Sequence, residues 1–193
     1  MTARTHDLGA ITALGIITII VPPASITLST ALLAILANQI GGIAPDIDQP
    51  TAPLWRNLPS GSFVGKIVDK VLGGHRFLSH SLIGVVLFGL IGALLLQVLH
   101  PLMAHVDINI VWLAFMIGLL SHLILDSFTK EGVPWLLPFP WKIGFPPLKR
   151  YRITTGKHIE TLFVFPGLLA VDIWLCASHY NQITAFIQQH LIH

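Results

Sequence analysis

Ser81–Leu99 reads SLIGVVLFGLIGALLLQVL. The stretch carries no charge, and only Ser81 and Gln97 are polar. A bilayer core is ~30 Å thick and a helix rises ~1.5 Å per residue, so about 20 apolar residues cross it. Working outward, Ile108–Leu125 (INIVWLAFMIGLLSHLIL) is a second such run. Ile159–Ala177 is a third, with Glu160 at its start and Asp172 inside it. Toward the N-terminus, Leu8–Val21 and Ile26–Ala44 flank Pro22-Pro23, the pattern of a helical hairpin. Leu8–Val21 is short, so it is expected to sit with little tilt or to fall short of a full span. The fold class expected is all-α, a multi-pass helical membrane protein with about five hydrophobic segments.

Composition agrees with that reading. Of 193 residues, 53% are hydrophobic and 10% charged, against about 25% charged in soluble domains. Mean hydropathy is +0.75. These values exclude an ordinary soluble protein, a disordered chain and a coiled coil. A net charge of +2 is too small to indicate nucleic acid, and no nucleic-acid partner is expected. The lone cysteine, Cys176, excludes a disulfide framework and a Cys-rich zinc site. The length argues for one domain, residues 1–193. Leu8–Val21 is not expected to be a cleaved signal peptide: Asp7 abuts it, no A-x-A site follows, and a second apolar run comes at once.

The basic residues orient the chain. Arg4 precedes the hairpin; Arg56, Lys66, Lys70 and Arg76 lie between the second and third segments. Lys130, Lys142, Lys149, Arg150, Arg152 and Lys157 lie between the fourth and fifth. With five segments all eleven fall on one side, cytoplasmic by the positive-inside rule, with the N-terminus in and the C-terminus out. The two cytoplasmic connections are rich in Pro and Gly, and Trp135, Phe139, Trp141 and Phe145 are expected at the lipid interface.

Onto that topology fall the acidic and histidine residues. His6 precedes the first helix, Asp46 and Asp48 (PDID) follow the second, and His75 and His80 (GGHRFLSHS) precede the third. His122 and Asp126 (SHLILD) close the fourth, and Glu160 opens the fifth. All eight lie at the cytoplasmic ends of helices, where a bundle converges. His122 and Asp126 are i,i+4, one turn apart on one helix face, and can share an ion. His122 also stands inside an apolar run, where an ionisable group is costly and marks function. Asp46 and Asp48 can chelate one ion or bridge two. His75 and His80 are i,i+5 and cannot ligate from one regular helical face. Gly73-Gly74 leaves His75 in the loop, with Ser79 expected as N-cap and His80 in the first turn. Imidazole with carboxylate suits Zn or Mn, and the number of ligands leaves room for one to three divalent ions.

Arg76 is either an inside charge or a guanidinium that holds a phosphate or carboxylate oxygen beside the ion. Ser79, Ser81 and Ser121 either orient imidazole N–H groups or cap and back-bond helices. His100, His105, His179, His190 and His193 fall on the outer side and are read as solvated. Cys176 is read as a buried small apolar group. Gly84, Gly89, Gly92 and Gly118 are expected to let helices approach closely.

Thr5-His6-Asp7, APDIDQP, GGHRFLSHSL, GLLSHLILDSFTKEGVPWLLPFP and TGKHIE, in that order, together resemble the LexA-regulated, membrane-bound metal-dependent hydrolase family of bacteria, the YdjM-like proteins. The resemblance runs over roughly Thr5 to Glu160. It implies His6, Asp46, Asp48, His75, His80, His122, Asp126 and Glu160 as the polar centre, and the bacterial inner membrane as the location. Many members have Gly where this chain has Phe77. More loosely, the mixed His/Asp/Glu set resembles that of the all-helical zinc phospholipase C and nuclease group, an analogy between sites only.

The function expected is metal-dependent hydrolysis of a small-molecule or lipid-linked substrate, a phosphate ester by preference, at the cytoplasmic face. Asp48 or Glu160 would act as base or bridge and Arg76 as clamp. The alternative is a small transporter or ion-handling protein with His122, Asp126 and Asp172 as an intramembrane polar path. A compact rim cluster favours the enzyme; polar groups spread through the bilayer favour transport.

Overall fold

In the computed structural model, which describes residues 1–74, 76–139 and 141–191, every apolar stretch is a helix. In chain order these are α1 (Ala3–Ile20), α2 (Leu28–Ile43, extended by a 3-10 turn Ala44–Asp48), the short α3 (Pro53–Arg56), α4 (Gly61–Val71), α5 (Leu82–Leu99), α6 (Ile108–Ser127), α7 (Phe165–Ser178, entered through a π-turn Glu160–Val164) and α8 (Tyr180–Leu191). Four segments are long and apolar enough to cross a membrane: Leu28–Asp48, Leu82–Leu102, Ile108–Ser127 and Glu160–Ser178. The protein is all-α and multi-pass. Among the described residues the only extended pairings are isolated bridges, Thr129 with Ile153 and Val133 with Ile143. α1 begins well before the apolar run, because Arg4, His6 and Asp7 are already helical. Its 18 residues span about 27 Å at the usual helical rise.

Local chemistry sets the helix ends. Pro22-Pro23 cannot continue α1. Thr27 caps α2 by accepting from the Thr30 N–H, and Asp107 caps α6 by accepting from Asn109 and Ile110. The cap of α5 is Ser81, which accepts from the Gly84 N–H at 3.1 Å. Ser79 is therefore not the cap, and His80 stands before the helix rather than in its first turn.

α6 is the central helix, packed against α1, α2 and α5. Its contact with α2 is backbone on backbone. A Cβ on Gly118 would lie 2.0 Å from the Asn38 carbonyl oxygen, and one on Gly41 would lie 2.1 Å from that of Phe115. Buried Asn38 donates to the Ala114 carbonyl across the same seam at 3.1 Å. Gly89 and Gly92 do admit α6 side chains, Met116 and Phe115. Gly84 does not: a Cβ there would strike the Leu78 carbonyl of its own entry turn.

Burial is inverted relative to a soluble protein. The side chains fully buried include His6, His80, His122, Asp48, Asp126 and Glu160, while leucines, isoleucines and valines cover the outside. Such a surface is stable when its solvent is lipid. Cys176 belongs to that outer surface; it is exposed on α7, not buried. His100 and His105 are exposed as expected. His179 and His190 are half-buried, not solvated, each with Nδ1 against a carbonyl oxygen four residues back, His179 at the end of α7 and His190 within α8. His193 lies outside the described residues.

The connection from α6 to α7 folds back under the helix ends. Arg152 binds the carbonyls of Gly144, Pro146 and Pro147, and Val133 pairs with Ile143. Phe139, Trp141 and Phe145 are exposed, as an interfacial loop requires. Trp135 is not: it packs on buried Val85, Leu119, Leu123 and Val133, and its Nε1 donates to Ser127.

Candidate metal centre

Four elements end at one place. α1 supplies His6, the turn after α2 supplies Asp46 and Asp48, the lead-in to α5 supplies Arg76 and His80, and the last turns of α6 supply His122 and Asp126. All but half-buried Asp46 are shielded from solvent. His6 and His122 stack with centroids 3.6 Å apart, and His80 meets His122 edge-on at 5.2 Å.

The protonation of His122 follows from its neighbours. Its Nδ1 lies 2.6 Å from the Gly42 carbonyl oxygen, which can only accept, so Nδ1 carries the proton. The Nε2 lone pair then faces Asp46 Oδ1 at 3.6 Å and Asp126 Oδ2 at 3.8 Å. These are three acceptors converging with no proton between them. His6 Nε2 stands 3.2 Å from Asp126 Oδ1, and its Nδ1 has no hydrogen-bond partner among the described residues. Two sets, His6–His122–Asp126 and Asp46–His80–His122, each place one ligand atom per residue within 4.8 Å of the others. Donors about 2.1 Å from a tetrahedral ion stand about 3.4 Å apart. The His6–Asp126, His122–Asp46 and His122–Asp126 separations of 3.2–3.8 Å lie close to that spacing. A carbonyl fixing Nδ1–H while Nε2 is presented is the usual support for a ligating imidazole.

Asp126 gathers cations. The Met1 ammonium donates to Oδ1, and the Arg76 guanidinium reaches Oδ2 at 2.5 Å. Arg76 also contacts Thr129 Oγ1 at 3.2 Å and Glu131 Oε2 at 3.3 Å. It is buried and has φ +59°, a left-handed conformation uncommon for arginine. Its N–H donates to Asp48 Oδ2 at 2.9 Å, and Ser79 Oγ donates to the same oxygen. Ser79 also lies 2.9 Å from His80 Nδ1 and so orients an imidazole. Ser81 caps α5, and Ser121 back-bonds to Gly118.

Glu160 arrives at the same end of the bundle with different partners. Its Oε1 accepts from the Thr2 N–H, Thr2 Oγ1 and Thr5 Oγ1 at 2.6–2.8 Å, and its Oε2 from the Gly156 N–H at 2.7 Å. A carboxylate at the first turn of α1 is favoured by the helix dipole. Glu160 belongs to neither ligand set. His75 lies outside the described residues. Sequence reasoning passed over the Gly42 carbonyl, Thr2, Thr5 and Thr129. A carbonyl has no signature in sequence, and threonines near helix ends are ordinary.

Residues 1–188 match the family described as YdjM inner membrane protein. The chain belongs to the YdjM family. Among similar proteins, the inner membrane protein YdjM of Escherichia coli (strain K12) is 29% identical over 133 residues, 69% of this chain and 61% of that protein. The Shigella flexneri protein of the same name matches to the same extent. The chain thus spans about three-fifths of the length of these two relatives. YvsG of Bacillus subtilis (strain 168) is 32% identical over 174 residues, 87% of this chain and 89% of that protein. No solved structure matches. The family description and the names of the E. coli and Shigella relatives carry the membrane location and no reaction.

Proposed function

We propose that this YdjM-family protein is a metal-dependent hydrolase of the bacterial inner membrane, acting on a phosphate ester at the cytoplasmic face. One observation carries the reading: the His122 Nε2 lone pair, fixed by Gly42, faces the carboxylates of Asp46 and Asp126. The Met1 ammonium and the Arg76 guanidinium already offset the charge of Asp126, but the buried His122 Nε2 has no hydrogen-bond donor among the described residues, and a bound cation would supply the missing partner. His122 is common to both ligand sets and has a single lone pair to give, so the two sets describe adjoining positions for one ion through His122. A second ion would draw on Asp46, Asp48 and His80. His75, placed beside this group by sequence alone, is kept as a proposed ligand.

A bound Zn or Mn ion would polarise a phosphoryl oxygen and acidify water. The chain's own groups do the rest. Asp48 is the proposed base or bridge, held by the Arg76 N–H and Ser79. Arg76 places a guanidinium beside Asp126, able to take a phosphate oxygen. Glu160, with both oxygens taken by N–H and O–H donors, ties α1 to the lead-in of α7. The polar residues form one rim cluster, while mid-span Asp172 faces Thr12 on the α1–α7 seam, which favours the enzyme over a transmembrane path.

The test is hydrolysis of a panel of phosphate mono- and diesters, water-soluble and lipid-linked, by detergent-purified protein loaded with Zn or Mn. Turnover that chelation abolishes and the metal restores is the expected result. No turnover of any ester by metal-loaded protein would overturn the phosphoesterase reading.

A further inference from the structure

α4 (Gly61–Val71) lies in the connection between α2 and α5, at the end of the bundle that holds the metal centre. At ~100° per residue, its residues divide into three faces. Gly61 and Gly65 are buried against Trp55: a Cβ on Gly65 would lie 2.9 Å from the Trp55 ring. Phe63, Val64, Ile67 and Val71 fall on the opposite side within an arc of about 100°, and they are 66%, 42%, 49% and 75% exposed. Lys66 and Lys70, both exposed, border that arc. Nothing among the described residues covers the apolar strip. Trp55 Nε1 donates to the Ile47 carbonyl at 2.9 Å, which fixes α4 to the Asp46-Ile47-Asp48 turn at the end of a membrane-spanning segment.

We propose that α4 lies in the plane of the membrane and docks on the anionic phospholipid of the leaflet it faces. A bulky apolar strip bordered by lysines is the pattern of an interfacial helix: the strip enters the acyl boundary, and the lysine stems run along it while the ammonium groups stay at the phosphates. The site is continuous with the bilayer, because α4 is anchored at the mouth of α2 and leads through Gly73-Gly74 toward α5. A second strip at the same end has the same chemistry: exposed Phe139, Trp141 and Phe145, with Lys142, Lys149 and Arg150 beside them. Charge selects the lipid class, since each basic residue near an anionic surface favours binding about fivefold.

The proposal is tested on the full chain in bilayers, with Cys176→Ser providing a cysteine-free background. Ile67→Cys carries an environment-sensitive fluorophore. Phosphatidylglycerol or phosphatidylcholine spin-labelled near the headgroup is added at equal mole fraction. Quenching by both lipids is expected, stronger from phosphatidylglycerol, with the difference lost in Lys66→Glu/Lys70→Glu. Equal quenching by the two lipids would overturn the anionic preference and with it the proposal. Quenching by aqueous iodide but by neither lipid would place α4 in water and overturn it outright. Disulfide cross-linking between two chains of the unlabelled Ile67→Cys variant, without lipid quenching of the labelled one, would overturn it in favour of a second copy of this chain.

Discussion

Arg76 shows how a residue can be legible in type and illegible in role. Sequence offers it as an inside charge or a clamp; the fold buries it with φ +59° and sets it between Asp126 and Glu131. Lysine keeps the charge and lacks the planar fork. Arg76→Lys is therefore expected to keep membrane insertion and to lower kcat/KM on a phosphate ester roughly tenfold or more, the loss of one charge-assisted contact of about 1.5–3 kcal/mol. Unchanged kcat/KM would reduce Arg76 to an inside charge. Glu160 was legible as an acidic residue at the same end of the bundle as the histidines, but its partners Thr2 and Thr5 lie more than 150 residues away in sequence. Glu160→Gln exchanges a charge that accepts at both oxygens for an amide whose NH2 would face the Gly156 N–H. It is expected to lower the Tm in detergent, with a loss of about 1–3 kcal/mol, while metal bound per folded protein stays near wild type. Loss of metal at unchanged Tm would move Glu160 into the ligand set. His122 was the most legible residue, because an imidazole inside an apolar run has few structural uses.

At the scale of elements, the long helices were readable because lipid demands long apolar runs, and their polar ends were readable by contrast. The elements that sequence left unassigned follow a different rule. α4 is short and amphipathic and lies among Pro, Gly and Ser, so it lacks the continuous hydrophobicity of a span. α8 is a polar tail that becomes helical. Tight packing of α2 on α6 was legible only as glycine placement, and Gly41, which completes it, was not singled out. At Gly118 any Cβ would meet the Asn38 carbonyl. Gly118→Ala is expected to push the two helices apart and cost about 1–3 kcal/mol, read as a lower Tm together with lost metal, because Gly42 of α2 sets the His122 tautomer. Gly167→Ala, with open space around its Cβ position, should leave both unchanged. Equal stability of the two variants would contradict the close backbone contact of α2 with α6 at Gly118.

For the molecule as a whole, segregation of all eleven basic residues to one end is the strongest topological statement in the chain. It gathers into one layer residues spread from His6 to Glu160. If α1 crosses together with the four long segments, a reporter fused after His193 should read as external; a cytoplasmic reading would mean that α1 does not cross. The candidate metal centre lies at helix ends, which leave carbonyls such as Gly42 free to orient imidazoles and keep its ionisable groups away from the middle of the apolar runs. Charge pattern foretold this layer, but not the two cations that reach Asp126 or the carbonyl that fixes His122. The most direct measurement is metal content by elemental analysis of protein purified without chelator, comparing wild type with His122→Ala and His179→Ala. The proposed metal centre requires at least one Zn or Mn per wild-type and per His179→Ala chain, and a severe loss in His122→Ala, which removes the ligand common to both sets. Equal metal in all three, or none in the wild type, would contradict it.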